Sequence, residues 1–357
     1  MVGTLENWHP VNLIQFLLVA QCLLFCLFLF SQKKAYGLAS FLLAMALHMI
    51  FNILEEVAAL DEFPKITHSF GFLYGPFLWL FVKEMCYRDF SFQAKYTLHV
   101  IPFIFALPLP YFFPSLQIVL GPSIVISIIY YFFQSFSQLS KYHRVLEQTQ
   151  SGAIEYRLDW LSYFMAGLLV ISFIDFIRHF AGFTGQASAD GVFYVVVLSS
   201  VLGSVTYLLL RALKQPNIFA GIQCSDEEVL EDRQTPQLKP ASESEQLTFQ
   251  KISDFVTGKR RYLDPSLSLN QLAKELTISA REISRLVNLC TQRNFSDFIN
   301  HFRVLHVCHE LKLPSNAKRK LLDILLSSGF NSKSSFNAIF KKEMKMTPTQ
   351  YRSNSKE

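Results

Sequence analysis

Seven stretches within the first 210 residues contain no Asp, Glu, Lys or Arg: 11–30, 35–54, 66–82, 96–113, 115–139, 160–174 and 191–210. Charge-free runs of this length leave a helix no polar face to turn toward water. Most approach the ~20 residues that a helix needs to cross a ~30 Å hydrocarbon layer. The pattern predicts an all-α chain that begins with seven membrane-spanning helices. Pro102, Pro108 and Pro110 fall inside the fourth run, where proline is tolerated only if neighbouring groups satisfy the freed carbonyls.

The positive charges orient these spans. With the N-terminus outside, the inner segments carry Lys33, Lys34, Lys83, Arg88, Lys95, Lys141, Arg144, Arg157, Arg211 and Lys214, and the outer ones carry Lys65 and Arg178. Lys and Arg collect on the cytoplasmic side of spans, so residue 215 onward is expected in the cytoplasm. Glu6 and no Lys or Arg precede the first run, and no A-x-A site follows it, so it is expected to be retained rather than cleaved as a signal peptide.

Charge divides the chain into three blocks. Residues 1–214 hold 12 basic and 12 acidic residues, 215–246 hold two and seven, and 247–357 hold 19 and nine. The overall +5 is thus the sum of a neutral apolar domain (1–214), an acidic segment (215–246) and a domain of +10 (247–357) that calls for an acidic partner. The middle block has three prolines and cannot bury a core, so it is expected to be a flexible linker of roughly 30 Å root-mean-square span. Cys22, Cys26, Cys86, Cys224, Cys290 and Cys308 form no CxxC pair. They are read as small buried hydrophobes, and neither a metal site nor a cofactor is expected.

In the basic block the helix starts are explicit. Ser268 with Gln271 and Ser279 with Glu282 have capping-box spacing, and they open "LNQLAKEL" and "AREISRLVNLC" on either side of a three-residue turn. Two short helices so joined predict a helix-turn-helix. Ile283, Leu286, Val287 and Cys290 form the buried stripe of the second helix, and Arg281, Arg285, Asn288 and Gln292 share the other face, which shows no acidic residue in line. The arrangement recurs. "KLLDILLSSGF" ends at Gly329, and Asn331 or Ser332 then caps "KSSFNAIFKKEMK", with Phe336, Ile339 and Phe340 inward and Lys333, Ser334, Asn337 and Lys341 outward. A helix over about 295–312, with Phe298, Ile299, Phe302 and Leu305 on one side, connects the pairs and stops at Pro314.

The stretch "LLSSGFNSKSSFNAIFKKEMKMTPTQYR" resembles the C-terminal signature of the AraC/XylS family of bacterial transcription regulators, over roughly 250–353. The resemblance implies two DNA-reading surfaces, Arg281, Ser284, Arg285 and Asn288 in the first and Lys333, Ser334, Asn337 and Lys341 in the second. It also makes Thr347, Pro348, Tyr351 and Arg352 a closing structural element. Lys345 stands where the family usually has glycine, and Leu325 where it usually has a small alanine. The resemblance does not extend to the apolar half, which by analogy is expected to be the sensor.

One polar group there suits that role. His48, Asn52, Glu55 and Glu56 recur at helical spacing toward the outer end of the second run, His68 starts the third, and Asp175, Arg178 and His179 lie near the outer end of the sixth. Ionisable residues within spans usually face a cavity or a partner; Asp175 and Arg178 at i,i+3 are equally suited to neutralising each other. No HExxH, GxSxG or GxxxxGK[ST] motif points to catalysis, and no enzymatic activity is expected. A transporter or a membrane enzyme with a regulatory DNA-binding tail is the alternative. The implied partners are double-stranded DNA with two half-sites about 10 bp apart, the bilayer of a bacterial inner membrane, and a small-molecule or membrane signal. A second copy of the chain is a further candidate, as is RNA polymerase if the protein activates transcription.

Overall fold

Helix is the only regular secondary structure among the residues that the computed structural model describes: 10–31, 35–57, 66–183, 190–214, 222, 241–316 and 318–354. The chain falls into two units, one made of 1–140 with 158–221 and the other of 141–157 with 222–357.

The first unit contains α1 (Pro10–Ser31), α2 (Tyr36–Val57), α3 (Gly71–Cys86), α4 (Ile101–Ala106), α5 (Leu109–Phe112), most of α6 (Gln117–Thr149), α8 (Asp159–Phe183) and α9 (Asp190–Lys214). Among the described residues, five helical stretches are long and apolar enough to cross a membrane: Val11–Ser31, Tyr36–Glu55, Val119–Thr149, Asp159–Ile177 and Val192–Arg211. Leu24, Leu27, Ile126, Phe133 and Val192 on these helices are each at least two-thirds exposed.

The third and fourth runs depart from the expected full-length helices. A 3-10 turn, Ile66–Phe70, leads into α3, which is 16 residues long. The fourth run breaks into a 3-10 turn (Ala94–Val100), α4, α5 and a second 3-10 turn (Pro114–Leu116). Proline lacks the N–H of the helical ladder and its ring meets the preceding turn, so it starts helices here instead of continuing one. Pro102 and Pro110 are the second residues of α4 and α5, and Pro108 is the N-cap residue of α5. At the start of α2 the Tyr36 and Gly37 N–H groups donate to the two Glu84 carboxylate oxygens, each at 2.8 Å. A Cβ on Gly37 would lie 2.7 Å from the Phe81 nitrogen, so only glycine permits this approach of α2 to α3.

The second unit contains α7 (Ala153–Tyr156), α10 (Glu243–Gly258), α11 (Leu269–Leu276), α12 (Ala280–Thr291), α13 (Phe295–Lys312), α14 (Leu321–Ser327), α15 (Lys333–Met344) and α16 (Pro348–Asn354). The last residues of α6, from 141 on, also belong to it. Helix α10 begins inside the segment expected as linker, because Ser242 and Glu245 form a complete capping box there. Most of the remaining linker, Cys224 included, lies outside the described residues.

Two separate cores build this unit. Ile252, Val256, Leu272, Ile283, Leu286, Val287, Phe295, Phe298 and Ile299 make the first, and Val304, Val307, Ile324, Leu325, Phe336 and Phe340 belong to the second. Helix α13 serves both, so its apolar face differs from the expected one: Leu305 is 49% exposed, whereas Val304 and Val307 are buried. Leu325, 1% exposed, fills the position where a smaller residue was expected.

Candidate DNA interface

Three helices of the basic region, α11, α12 and α15, start on capping residues that the sequence offers. Ser268 and Gln271 exchange bonds as a full capping box. Ser279 caps α12 by accepting from the Glu282 N–H at 3.2 Å, but the Glu282 carboxylate turns away from the cap to Arg285. Ser332, and not Asn331, caps α15, accepting from the Ser335 N–H at 3.2 Å.

The turns differ in chemistry. Thr277 ends α11 at φ +57°, a left-handed conformation that costs a non-glycine residue roughly 1–2 kcal/mol. In the second pair the corresponding residue is Gly329, at φ +85°. A Cβ there would lie 2.7 Å from the Tyr262 carbonyl oxygen and 2.9 Å from that of Leu263, so the close approach itself requires glycine. Lys345 ends α15 at φ +58°, which explains why glycine suits that position.

On α12 the outward face is only partly free. Arg281 is exposed, but Ser284 is 4% exposed and packed, contrary to its expected outward place. Asn288 is half-buried, with its Nδ2 directed at the Arg293 carbonyl at 3.5 Å. Arg285 donates from Nε and Nη2 to Glu282, at 2.9 and 2.8 Å, and from Nη1 to Glu245 of α10, at 2.7 Å. The face therefore does hold acidic partners. One of them, Glu245, comes from 40 residues away. Its carboxyl is lowered to about 2, first by the Ser242 N–H and then by Arg285. The Arg285 hydrogen bond likewise lowers Glu282, and both glutamates raise Arg285.

On α15, Lys333, Ser334, Asn337 and Lys341 are all exposed, as their spacing predicts. Neighbouring charges fix the helix to the rest of the unit. Lys342 Nζ lies 2.8 Å from Asp297, and Glu343 accepts from Arg293 Nη1 at 2.8 Å and pairs with His301 Nδ1 at 3.1 Å. Burial would raise the Glu343 carboxyl, but the His301 and Arg293 hydrogen bonds outweigh it and hold it below the ordinary value.

The closing element follows the same logic. Thr347 caps α16 through Gln350, Tyr351 packs edge-on against Phe340 at 5.7 Å, and Arg352 Nη2 donates to the Asn316 and Arg319 carbonyls at 2.8 and 2.9 Å.

In the first unit the polar residues fall into small hydrogen-bonded groups. His48 bonds Tyr74 through Nδ1 and stacks on Phe70 at 5.3 Å, and Asp175 is half-buried. Asn52 Nδ2 and Gln15 Nε2 both donate to Tyr194 Oη, at 3.1 and 2.9 Å, and Asn12 donates to Gln15. Glu55 is turned to Thr67, at 2.9 Å from Oγ1. His68 is exposed. The Glu56, Arg178 and His179 side chains lie outside the described residues. Asn12, Gln15, Tyr74 and Tyr194 carry no signal of their own in the sequence: each is an uncharged polar residue in an apolar run, and only the packing of α1, α2, α3 and α9 gives them their partners. Among the described residues no group of His, Cys, Asp or Glu could hold a metal ion.

Residues 272–354 match the family model of a helix-turn-helix domain. The chain is 31% identical over 103 residues to the transposon Tn10 TetD protein of Escherichia coli, covering 72% of that protein and 29% of this chain. It is 26% identical over 101 residues to the regulatory protein SoxS of Escherichia coli K12, covering 92% of that protein and 28% of this chain. It is 32% identical over 89 residues to the melibiose operon regulatory protein of the same strain, covering 28% of that protein and 25% of this chain.

The chain belongs to the AraC/XylS family.

Its AraC-type domain and its regulator relatives support a DNA-binding transcription regulator, with double-stranded DNA as the partner. No catalytic family is indicated. The family match falls in the basic region, and Gly329, Thr347, Pro348, Tyr351 and Arg352 fill structural positions there.

Proposed function

We propose that this protein is a one-component regulator anchored in the bacterial inner membrane: residues 1–214 sense, and residues 247–357 read promoter DNA. Seven crossings, the fourth of them broken at its prolines, bring residue 215 to the cytoplasm when the N-terminus is outside. The exposed apolar side chains of the five long helices support lipid contact, since a surface this apolar is costly in water.

The observation that carries the DNA-reading half is the face of α15. Lys333, Ser334, Asn337 and Lys341 stand exposed on one helix of a family-matched domain that carries a +10 charge. Helices α12 and α15 read two half-sites about 10 bp apart on one face of the duplex. Arg281 and Asn288 contact DNA from α12, and Arg285 joins them by exchanging Glu245 for a base or phosphate. The His48, Asn52, Glu55, His68, Asp175 and Arg178 cluster senses a small-molecule or membrane signal.

Binding-site selection and genome occupancy with the full-length protein test this reading. Two half-sites about 10 bp apart, and binding that weakens steeply with salt, are the expected results. Occupancy indifferent to sequence would overturn it. For topology, a reporter after Lys214 is expected to be active only in the cytoplasm and one within 181–190 only outside. Asp175→Asn is expected to alter transcriptional output at unchanged protein abundance; a collapse of abundance instead would assign the cluster to stability alone.

A further inference from the structure

The segment between α6 and α8 joins two apolar helices, and a short connection of that kind is normally solvated. Here Thr149, Ser151 and Ala153 are 2%, 1% and 2% exposed. The segment is built into the second unit. Gln150 pairs as an antiparallel bridge with Ser268, and the Ser151 N–H donates to the Leu267 carbonyl at 3.1 Å. The Ser151 carbonyl oxygen accepts from Ser296 Oγ at 3.4 Å, Asn300 Nδ2 at 3.2 Å and Arg303 Nη1 at 3.2 Å. The Ser151 Oγ accepts from Arg303 Nη2 at 2.9 Å.

Arg303 is the joint of the unit. It is 1% exposed, and its five N–H groups meet five acceptors: the carbonyls of Tyr262, Asp264 and Ser151, Ser151 Oγ and Asn300 Oδ1. Its guanidinium lies 5.8 Å from the Phe330 ring centre, beside the Gly329 turn of the second pair. One buried cation thus ties the approach to the first helix-turn-helix, the connector α13 and the turn of the second. Ser151 supplies two of its five acceptors. A buried donor that loses its acceptor carries the full desolvation penalty, so the joint is complete only while Ser151 is in place.

We propose that residues 148–156 are a transmission strap. Docked on Arg303, the strap holds α12 and α15 in the arrangement that spans two half-sites. Because it is continuous with α6 and α8, a shift of either helix pulls it away and loosens DNA binding. This rests on the regulator reading above and adds the route by which the apolar half acts.

The test uses the full-length protein in membrane vesicles, with the six native cysteines replaced by alanine and a protease site inserted in the linker. Residues paired across an antiparallel bridge have Cα atoms about 4.5–5.5 Å apart, within disulfide reach. Gln150→Cys with Ser268→Cys is expected to cross-link on oxidation, so that cleaved protein stays joined until reduced, and to bind the selected duplex at least as tightly oxidised as reduced. Ser151→Pro removes both the N–H to Leu267 and the Oγ acceptor. It is expected to bind about 5-fold or more weakly and to accept half-site spacings that the wild type rejects. If its membrane abundance falls, Ser151→Ala is expected to move both readouts in the same direction, less far. Absence of the cross-link overturns the proposal. So does unchanged affinity, or weaker binding with unchanged spacing preference, the mark of a merely structural contact. Each of these leaves the regulator reading standing, whereas wild-type protein that retains no duplex removes both.

Discussion

The two helices proposed to read DNA have similar sequences of caps and stripes, but their outward faces differ. Helix α15 holds four exposed polar side chains, of which Ser334 shares a hydrogen bond with the Ser332 hydroxyl at 3.2 Å. Helix α12 has one of its four packed inside and another, Arg285, held by two glutamates. Three of the five Arg285 N–H groups are already bonded to carboxylates, so α12 has less to gain from the same phosphate or base. The turns show the reverse asymmetry: Gly329 relieves the second pair of the strain that Thr277 imposes on the first. A repeated motif therefore does not imply repeated energetics.

The largest expected effect bears on the turns. Gly329→Ala adds a Cβ against two backbone carbonyls at a left-handed position, and about 2–5 kcal/mol of stability is expected to be lost. Chemical denaturation measures it, and a cost below about 1 kcal/mol would mean that the turn yields more readily than its packing indicates.

Next comes specificity. Asn337→Ala on the open helix is expected to remove about 1–3 kcal/mol of base discrimination in one half-site while leaving stability unchanged. Selection on this variant that blurred both half-sites would break the one-helix, one-half-site assignment.

Arg285→Ala sharpens the contrast, because it is expected to lower the melting temperature as well as relax the other half-site. The pairing also has a pH signature. Glu245 is depressed from 4.5 to about 2 in the folded protein, so its contribution is complete above pH about 4.5 and fades as pH falls toward about 2. In Arg285→Ala this part of the acid dependence is expected to shrink. An identical acid profile in wild type and variant would show that the ion pairs do not hold α12.

The smallest effect concerns Thr277. Thr277→Gly relieves the left-handed strain at some entropic cost, and a gain of roughly 0.5–1 kcal/mol is expected. The equivalent change at Lys345 is expected to act in the same sense, and a loss at either position would show that its side chain makes a contact worth more than the strain.

Much of the protein could be read directly from the sequence, wherever the signal is local. Capping pairs three residues apart define the starts of α11 and α12, Gly329 defines the second turn, and Thr347–Arg352 close the domain. The long apolar runs determine five long helices, and the prolines at 102, 108 and 110 determine where the fourth run breaks. Each depends on the chain's own hydrogen bonding within a turn or two, which residue type alone controls. Tertiary structure decided what lies beyond that reach. It joined Glu245 to Arg285 across 40 positions and Ser151 to Arg303 across 152, and it gathered Gln15, Asn52 and Tyr194 from three apolar helices. Such contacts have no period and no fixed spacing. They arise because a buried donor or acceptor must find a partner somewhere in the packed unit, and the sequence states the need without naming the partner.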